Sequence, residues 1–435
     1  MTIGDSRAQS KSYDSLAEWL LLLPFLAMIF IAKFGIPVSS SRHIAATLPL
    51  LFICVVAAVA LGRMEINTVN TGAYALTFFV LIMLQVVSGN IQGAAFSIKS
   101  LALLTVFHGP YCFSMRPGML RPNIQLIYYQ RIAVIIALCG VAQFVAQFVI
   151  GPDLAFPIEN YAAQGAQMEN YNNVIPLYTG AHYFKSNGIF LLEPSFFSML
   201  VCIGVVIELV YFRRWVVVGI LLLGEAVSYS GSGLAILCLC LPLYLVAQRR
   251  IWTLVLGVFG LGIAYFIATD VLGFDLFVNR AAELTGRSQE TSGYVRFIAP
   301  WIVLDEWIWP SLKNALLGVG SGTYMPFVRR SVVMAWGPTW AKMIFEYGLL
   351  GTLIYFIFLV RCMWASDVSG YVKWALLLQI TILGGNMVTQ PQEMIMYLLI
   401  FPTAVAIRRP RTAAADAPAG EAPAFAARRS TLEPT

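Results

Sequence analysis

The sequence predicts an all-α polytopic integral membrane protein of about twelve transmembrane helices, with two long outward loops, the larger carrying an interfacial helix. Three observations predict it. The chain of 435 residues is 59% hydrophobic and only 11% charged, where soluble domains carry roughly a quarter of charged residues. Its apolar residues recur in runs near the ~20 that cross a bilayer. Arginine and lysine then collect at alternate ends of those runs, as the positive-inside rule requires of cytoplasmic ends.

Taken in order, a polar tail covers residues 1–15 and a single transmembrane domain covers 16–411. Spans are expected at 16–34, 44–62, 72–89, 94–112, 127–150, 189–212, 215–230, 232–248, 251–270, 340–361, 371–389 and 393–408. The first run is long enough to span rather than to be a cleaved signal. The seventh and eighth are short and join tightly through Gly231-Ser232-Gly233. Arg116 and Arg121, Arg213 and Arg214, Arg249 and Arg250, Arg361 with Lys373, and Arg408, Arg409 and Arg411 mark the inner ends, which puts both termini inside. All seven cysteines fall in spans or at inner ends, so no disulfide is expected. The tail 412–435, rich in Ala and Pro, has the composition of a disordered segment.

Two outward loops remain, at about 151–188 and 271–339. Loops longer than ~15 residues are uncommon unless they work or are disordered. The first is polar, with Asn, Gln and Tyr. The second is too apolar for disorder, and RFIAPWIVLDEWIWP sets Phe297, Trp301, Leu304 and Ile308 on one face of a helix expected to lie in the outer interface.

That second loop holds Arg280, Arg287, Arg296, Lys313, Arg329, Arg330 and Lys342 against few acids. Guanidinium forks suit phosphate and diphosphate oxygens, although a basic loop touching lipid phosphates is an equal alternative. Glu193, Glu225 and Glu346 lie within apolar runs toward their outer ends, where an ionised group costs at least ~2.5 kcal/mol near mid-bilayer. For each, pairing with a nearby cation stands beside a catalytic role. Glu208, close to Arg213 and Arg214, and His108 read as structural. His182, three residues before Lys185, is the outward histidine near the suspected site, and a loop histidine is more often surface than catalyst. No His/Cys/Asp/Glu cluster has metal-ligand spacing, and neither Gly-x-Ser-x-Gly nor a Walker-type loop occurs. No cofactor is expected, and nucleic acid is not an expected partner.

Five stretches in order carry a resemblance: FKSNGIFLLEPS, SYSGSGLAIL, RSQETSGYVRFIAPW, NALLGVGSGTY and WAKMIFEYGLLGTLIYF, together about residues 180–360. They resemble the bacterial O-antigen ligase and Wzy-type polysaccharide polymerase superfamily, including the xanthan-like exopolysaccharide polymerases. The resemblance implies a metal-independent glycosyltransferase of the inner membrane. Its donor would be an oligosaccharide on undecaprenyl diphosphate at the periplasmic face, and a flippase and a chain-length regulator would be its pathway partners. Lys185 stands where the family usually has arginine, Glu193 matches the Glu-Pro acid, and Arg287 and Arg296 match the loop arginines. Gly318, Gly320 and Gly322 match the glycine turn, and Glu346 matches the acid opening the next span. The expected catalytic set is therefore Glu193, Arg287, Arg296, Glu346 and His182, with Lys185, Arg280, Arg287, Arg296, Gly320 and Gly322 binding diphosphate or glycan.

Ligases of the family usually carry a histidine shortly before that last span, and AWGPTWAKMIFEYG has none, which favours a polymerase over a ligase. A transporter or flippase of lipid-linked oligosaccharide is the alternative of another class. It predicts two similar halves with paired broken helices, whereas here the charged motifs concentrate after residue 150.

Overall fold

The computed structural model describes residues 13–39, 42–90, 96–162, 167, 168, 171, 173–177, 181–250, 252, 293–383 and 390–400. The expected span at 251–270 apart from Trp252, together with Arg280, Arg287 and the tail after 400, lies outside the described residues.

The described chain is predominantly helical. In order come α1 (Ser15–Ile31), α2 (Thr47–Ala60), α3 (Thr68–Val87), α4 (Ile98–Phe107), α5 (Ile124–Val149), the short α6 (Pro152–Ala155) and α7 (Pro157–Tyr161), and α8 (Pro194–Ile207), which runs on as a π-turn through Phe212. They are followed by α9 (Trp215–Ser228), α10 (Gly231–Ala247), α11 (Ala299–Trp307), α12 (Leu312–Leu317), α13 (Tyr324–Val328), α14 (Thr339–Trp364), α15 (Gly370–Leu378) and α16 (Gln390–Leu399). Among the described residues, four helices are long and apolar enough to cross a membrane: α3, α5, α8 with its π-turn, and α14. Five more are apolar but shorter: α1, α2, α9, α10, and α15 with the π-turn that follows it.

Polar residues mark where the helices start. Asp14 Oδ1 accepts the N–H groups of Leu16 and Ala17 at 2.9 and 3.2 Å, so α1 opens with a capped first turn. Asn67, Ser97 and Ser230 cap α3, α4 and α10 in the same way. Two strand pairs interrupt the all-helical expectation: β1 (Gly35–Ser39) with β2 (Arg42–Ala45), and β3 (Met64–Ile66) with β4 (Phe113–Met115), both antiparallel. They occupy connections between helices, where backbone groups freed from the helical pattern pair with one another.

Helix α8 is the centre, buried at every residue from Pro194 to Ile207 and packed by α5, α9, α10 and α15. Charged residues tie the two ends of the bundle. At one end Arg121 grips Glu18 at 2.6 Å and Arg63 meets Asp14 at 2.8 Å. Arg214 likewise holds the fully buried Glu208 at 2.9 Å, in keeping with a structural role for that acid. The ends of α8, α10 and α15 converge: Ser369 N–H donates to Tyr211 Oη at 2.6 Å, and Tyr244 stacks edge-on against Tyr371. The cations of those ends therefore share one side. The opposite end gathers the C-terminus of α1, the N-terminus of α8, the α9–α10 turn and the start of α14.

Residues 293–345 build a second core on that opposite end, with Val295, Ala299, Val303, Leu304, Ile308, Tyr324, Val328 and Phe345 inside it. The expected single face of Phe297, Trp301, Leu304 and Ile308 is split. Leu304 and Ile308 are buried, whereas Trp301 is exposed and Phe297 half-buried. Trp301 lies on the same α-helix as Leu304 and leans off the second core onto Trp340 at the start of α14, with ring centroids 4.6 Å apart, while Phe297 belongs to the π-turn Tyr294–Ile298 that precedes the helix.

Candidate functional site

Glu193 is the N-cap of α8, extended at φ −143° and ψ 156°, with Pro194 in the first turn. Proline is well tolerated there because the first N–H groups have no helical partner. The Glu193 carbonyl accepts the N–H groups of Phe196 and Phe197 at 3.1 and 3.2 Å. Its carboxylate makes no cap bond and turns instead toward Arg296, with Oε2 3.6 Å from Nη2 and accepting the Ser195 hydroxyl at 3.0 Å. Negative charge is favoured at this helix end. Of the two alternatives left open for Glu193, the geometry shows the pairing with a cation, Arg296.

Arg296 sits in the π-turn of the second loop, whose backbone is fixed where Trp336 N–H donates to Val295 O at 3.0 Å. Its other arm, Nη1, donates to Ser232 Oγ at 3.1 Å. Burial pulls the guanidinium below its ordinary pKa and the Glu193 charge pulls it back up; an arginine so placed stays charged at physiological pH. The Tyr171 hydroxyl is pushed up to about 12, first by burial and then by Glu193, so it remains protonated beside the pair.

Ser232 lies in the first turn of α10, and the tight bend itself falls one step earlier than the sequence suggests, at Tyr229-Ser230. The bend is pinned from α8: Gly233 N–H donates to Ser198 Oγ at 2.7 Å, and that hydroxyl reaches Glu225 Oε1 at 3.0 Å. Glu225 thus meets serines where a cation was the expected partner, and it supports the turn that carries Ser232.

The stretch leading into Glu193 is held by polar groups from three other segments. Gln143 Oε1 on α5 accepts the N–H groups of Asn187 and Ile189 at 3.1 and 3.2 Å and the Ser186 hydroxyl at 2.8 Å. Gln147, one turn on, brackets Phe184 through its backbone N–H at 2.7 Å and its carbonyl at 3.0 Å. Lys33, following α1, is buried against Glu159 and the Ile189 carbonyl. Lys185 is half-buried, with its N–H on the Ile175 carbonyl at 2.8 Å. His182 is exposed and makes no hydrogen bond or ion pair among the described residues.

Glu346 and the glycine turn form a second cluster. The Glu346 carboxylate is fully buried, 4.0 Å from Lys342 Nζ, and faces the N–H groups of Gly322 and Tyr324 without closing a full hydrogen bond to either. Val319 and Gly320 N–H donate to the Phe345 and Glu346 carbonyls at 2.8 and 3.2 Å, so the turn is laced to the start of α14. Gly318 (φ 76°, ψ −178°) and Gly348 (φ 68°, ψ −176°) both adopt a conformation essentially confined to glycine. A Cβ on Gly318 would lie 2.5 Å from the Glu346–Tyr347 backbone, and one on Gly348 2.3 Å from the Leu316 backbone. Gly320 and Gly322, expected to bind substrate, are packed beside Asn90 and beside Ser97 and Ser100.

Phe297, Trp301, Trp340, Phe356, Val360 and Leu377 line an open apolar groove of about 530 Å³. Trp301 and Trp340 stack at 4.6 Å where the second loop meets α14.

Of the expected site residues, the structure brings together Glu193 and Arg296, and Glu346 with the glycine turn. Reasoning from sequence missed Ser195, Ser232, Lys33, Gln143 and Gln85 as site residues. Gln85 bridges the second cluster, donating to the Glu346 carbonyl at 3.2 Å and accepting Ser321 N–H at 3.2 Å. The signal for Gln143 and Gln147 was present: two glutamines at helical spacing in the apolar run VAQFVAQFV mark one polar stripe. No family model, curated protein or solved structure matches this chain.

Proposed function

We propose that the protein is a metal-independent membrane glycosyltransferase that polymerises undecaprenyl-diphosphate-linked oligosaccharide repeat units into exopolysaccharide or O-antigen at the periplasmic face of the inner membrane. In this reading about twelve spans place both termini in the cytoplasm and the Glu193–Arg296 end outward. The observation that carries it is the meeting of Glu193, Ser232 and Arg296. They come from three separate stretches of the family-like pattern, and they assemble a half-buried, aimed guanidinium. A diphosphate leaves readily once its developing charge is neutralised, and a preorganised arginine does that without reorganisation at the moment of reaction. An acceptor hydroxyl would attack the anomeric carbon, the bond from that carbon to the diphosphate oxygen would break, the hydroxyl proton would pass to the departing diphosphate, and the diphosphate would leave against Arg296. Glu193 aims the guanidinium. The apolar groove lined by Phe297, the residue after Arg296 in the chain, suits the hydrocarbon part of such a donor.

The test is the lipid-linked product in cells whose only copy carries Arg296→Ala. Accumulation of single repeat units on lipid, with the protein still in the membrane, supports a polymerase. Long chains left on lipid point to a ligase, cytoplasmic accumulation points to a flippase, and normal polymer removes Arg296 from the reaction. Orientation is tested separately: His182→Cys should react with an impermeant thiol reagent from the periplasm, and labelling from the cytoplasm alone would invert the topology.

A further inference from the structure

We propose that Lys33 is a positioning residue for the Glu193–Arg296 pair, acting by locking the Gly188–Ile189 turn from which α8 descends. Ile189 is β-branched yet sits at φ 68°, in the left-handed region, directly after Gly188 at φ 70°. A branched side chain is a genuine outlier there, and such conformations persist only where the surroundings over-determine them. Here both backbone groups of Ile189 are held: its N–H donates to Gln143 Oε1 at 3.2 Å, and its carbonyl accepts from Lys33. The Lys33 ammonium also pairs with Glu159, whose same carboxylate oxygen accepts Asn187 Nδ2 at 2.7 Å. The Asn187 amide continues to the Asn173 carbonyl at 3.0 Å. Lys33 is thus the shared donor that joins the end of α1, the first loop and the entry to α8.

The turn transmits its position to the site through a rigid link. Leu191 and Leu192 are each 1% exposed and belong to the main core. Glu193 follows them directly as the cap of α8, so a change of the Gly188–Ile189 backbone moves the carboxylate relative to Arg296 and Ser232. The inference rests on the Glu193–Arg296 pair being the working site of the proposed transferase.

The test uses the full chain in its membrane, with Ser232→Cys as a reporter next to Arg296 and the chain with native Ser232 as the labelling blank. Lys33→Met/Glu159→Gln removes the ammonium without stranding a buried carboxylate. Labelling of the introduced thiol by an impermeant maleimide should then speed up about 5–30-fold, the change that one or two kcal/mol makes in a two-state ratio. Adding Ile189→Gly, which removes the left-handed penalty, should return labelling most of the way to the starting rate. In chains with native Ser232, polymer yield should fall in the double variant and recover in the triple one. Unchanged labelling and polymer in Lys33→Met/Glu159→Gln overturn the proposal, as does a loss that Ile189→Gly does not rescue, because a merely structural lysine gives that result. If labelling follows the expected course while no chain, wild type included, makes polymer, the positioning role stands and the transferase reading falls.

Discussion

Gly348→Ala is the sharpest probe of how Glu346 is held. The substitution asks alanine to adopt φ 68°, ψ −176°, which costs about 1–3 kcal/mol for a residue with a side chain. It also places a methyl carbon 2.3 Å from the Leu316 carbonyl carbon and oxygen, more than 1 Å short of ordinary contact. Both sides of that contact are backbone, so no side-chain rotation relieves it, and overpacking of this kind costs about 1–3 kcal/mol more. The sum, about 2–6 kcal/mol, is a large part of the ~5–15 kcal/mol by which folded proteins are stable. At roughly 2–4 °C per kcal/mol, heating the detergent-solubilised protein and following its monomer peak should show melting lower by roughly 5–20 °C. Gly219→Ala is the control. Gly219 lies inside α9 with no atom within 4 Å of an added Cβ, and alanine there should be neutral or stabilise by up to about 1 kcal/mol. A Gly348→Ala protein that melts with the wild type would refute the backbone interlock between α12 and α14.

Arg296→Lys keeps the charge but cannot span Glu193 and Ser232 together, and under the proposed transferase reading polymer synthesis should drop by about 10–100-fold; Ser232→Ala, which removes one hydrogen bond, should cost at most about 10-fold. Equal activity of Arg296→Lys and wild type would show that only charge matters. His182→Ala should stay within about twofold of wild type, because an exposed side chain with no partner among the described residues leaves nothing there unsatisfied; a large loss of polymer with normal protein levels would put His182 back in the site. Arg214→Ala strands the buried Glu208 carboxylate and should destabilise by about 1–3 kcal/mol while leaving polymer per folded molecule unchanged. A selective loss of activity in that variant would contradict its placement at the far end of the bundle.

What the sequence makes legible depends on how local the cause is. Apolar runs locate the helices because span length is a one-dimensional quantity, and Glu193-Pro194 marks the start of α8 because first-turn proline obeys a local rule. The glycine turn is legible for the same reason: Gly318, Gly320 and Gly322 all take positive φ. The split of the 297–308 face is not, because Trp301 leans onto Trp340, a partner remote in the chain that no periodicity announces. Lys33 and Gln143 escaped for another reason. Their partners are remote in the chain, and a lone lysine at the end of an apolar run looks like an interfacial anchor until the fold brings Glu159 and Ile189 against it. Glu225 reads as an isolated acid until Ser198 and the α9–α10 turn are seen around it.

The reach of these pairings sets a timetable for biosynthesis. Lys33 finds Glu159 126 residues later and the Ile189 carbonyl 156 residues later, and Ser232 waits 64 residues for Arg296. A nascent chain leaving the ribosome therefore carries the acid of α8 before the cation that compensates it has been made. The Glu193 end stays electrostatically open until residues 293–345 fold down, and its closure is among the last events of maturation. Substitutions in that late segment are consequently expected to expose an otherwise nearly finished protein to quality-control proteolysis, whereas defects in α1 act from the outset.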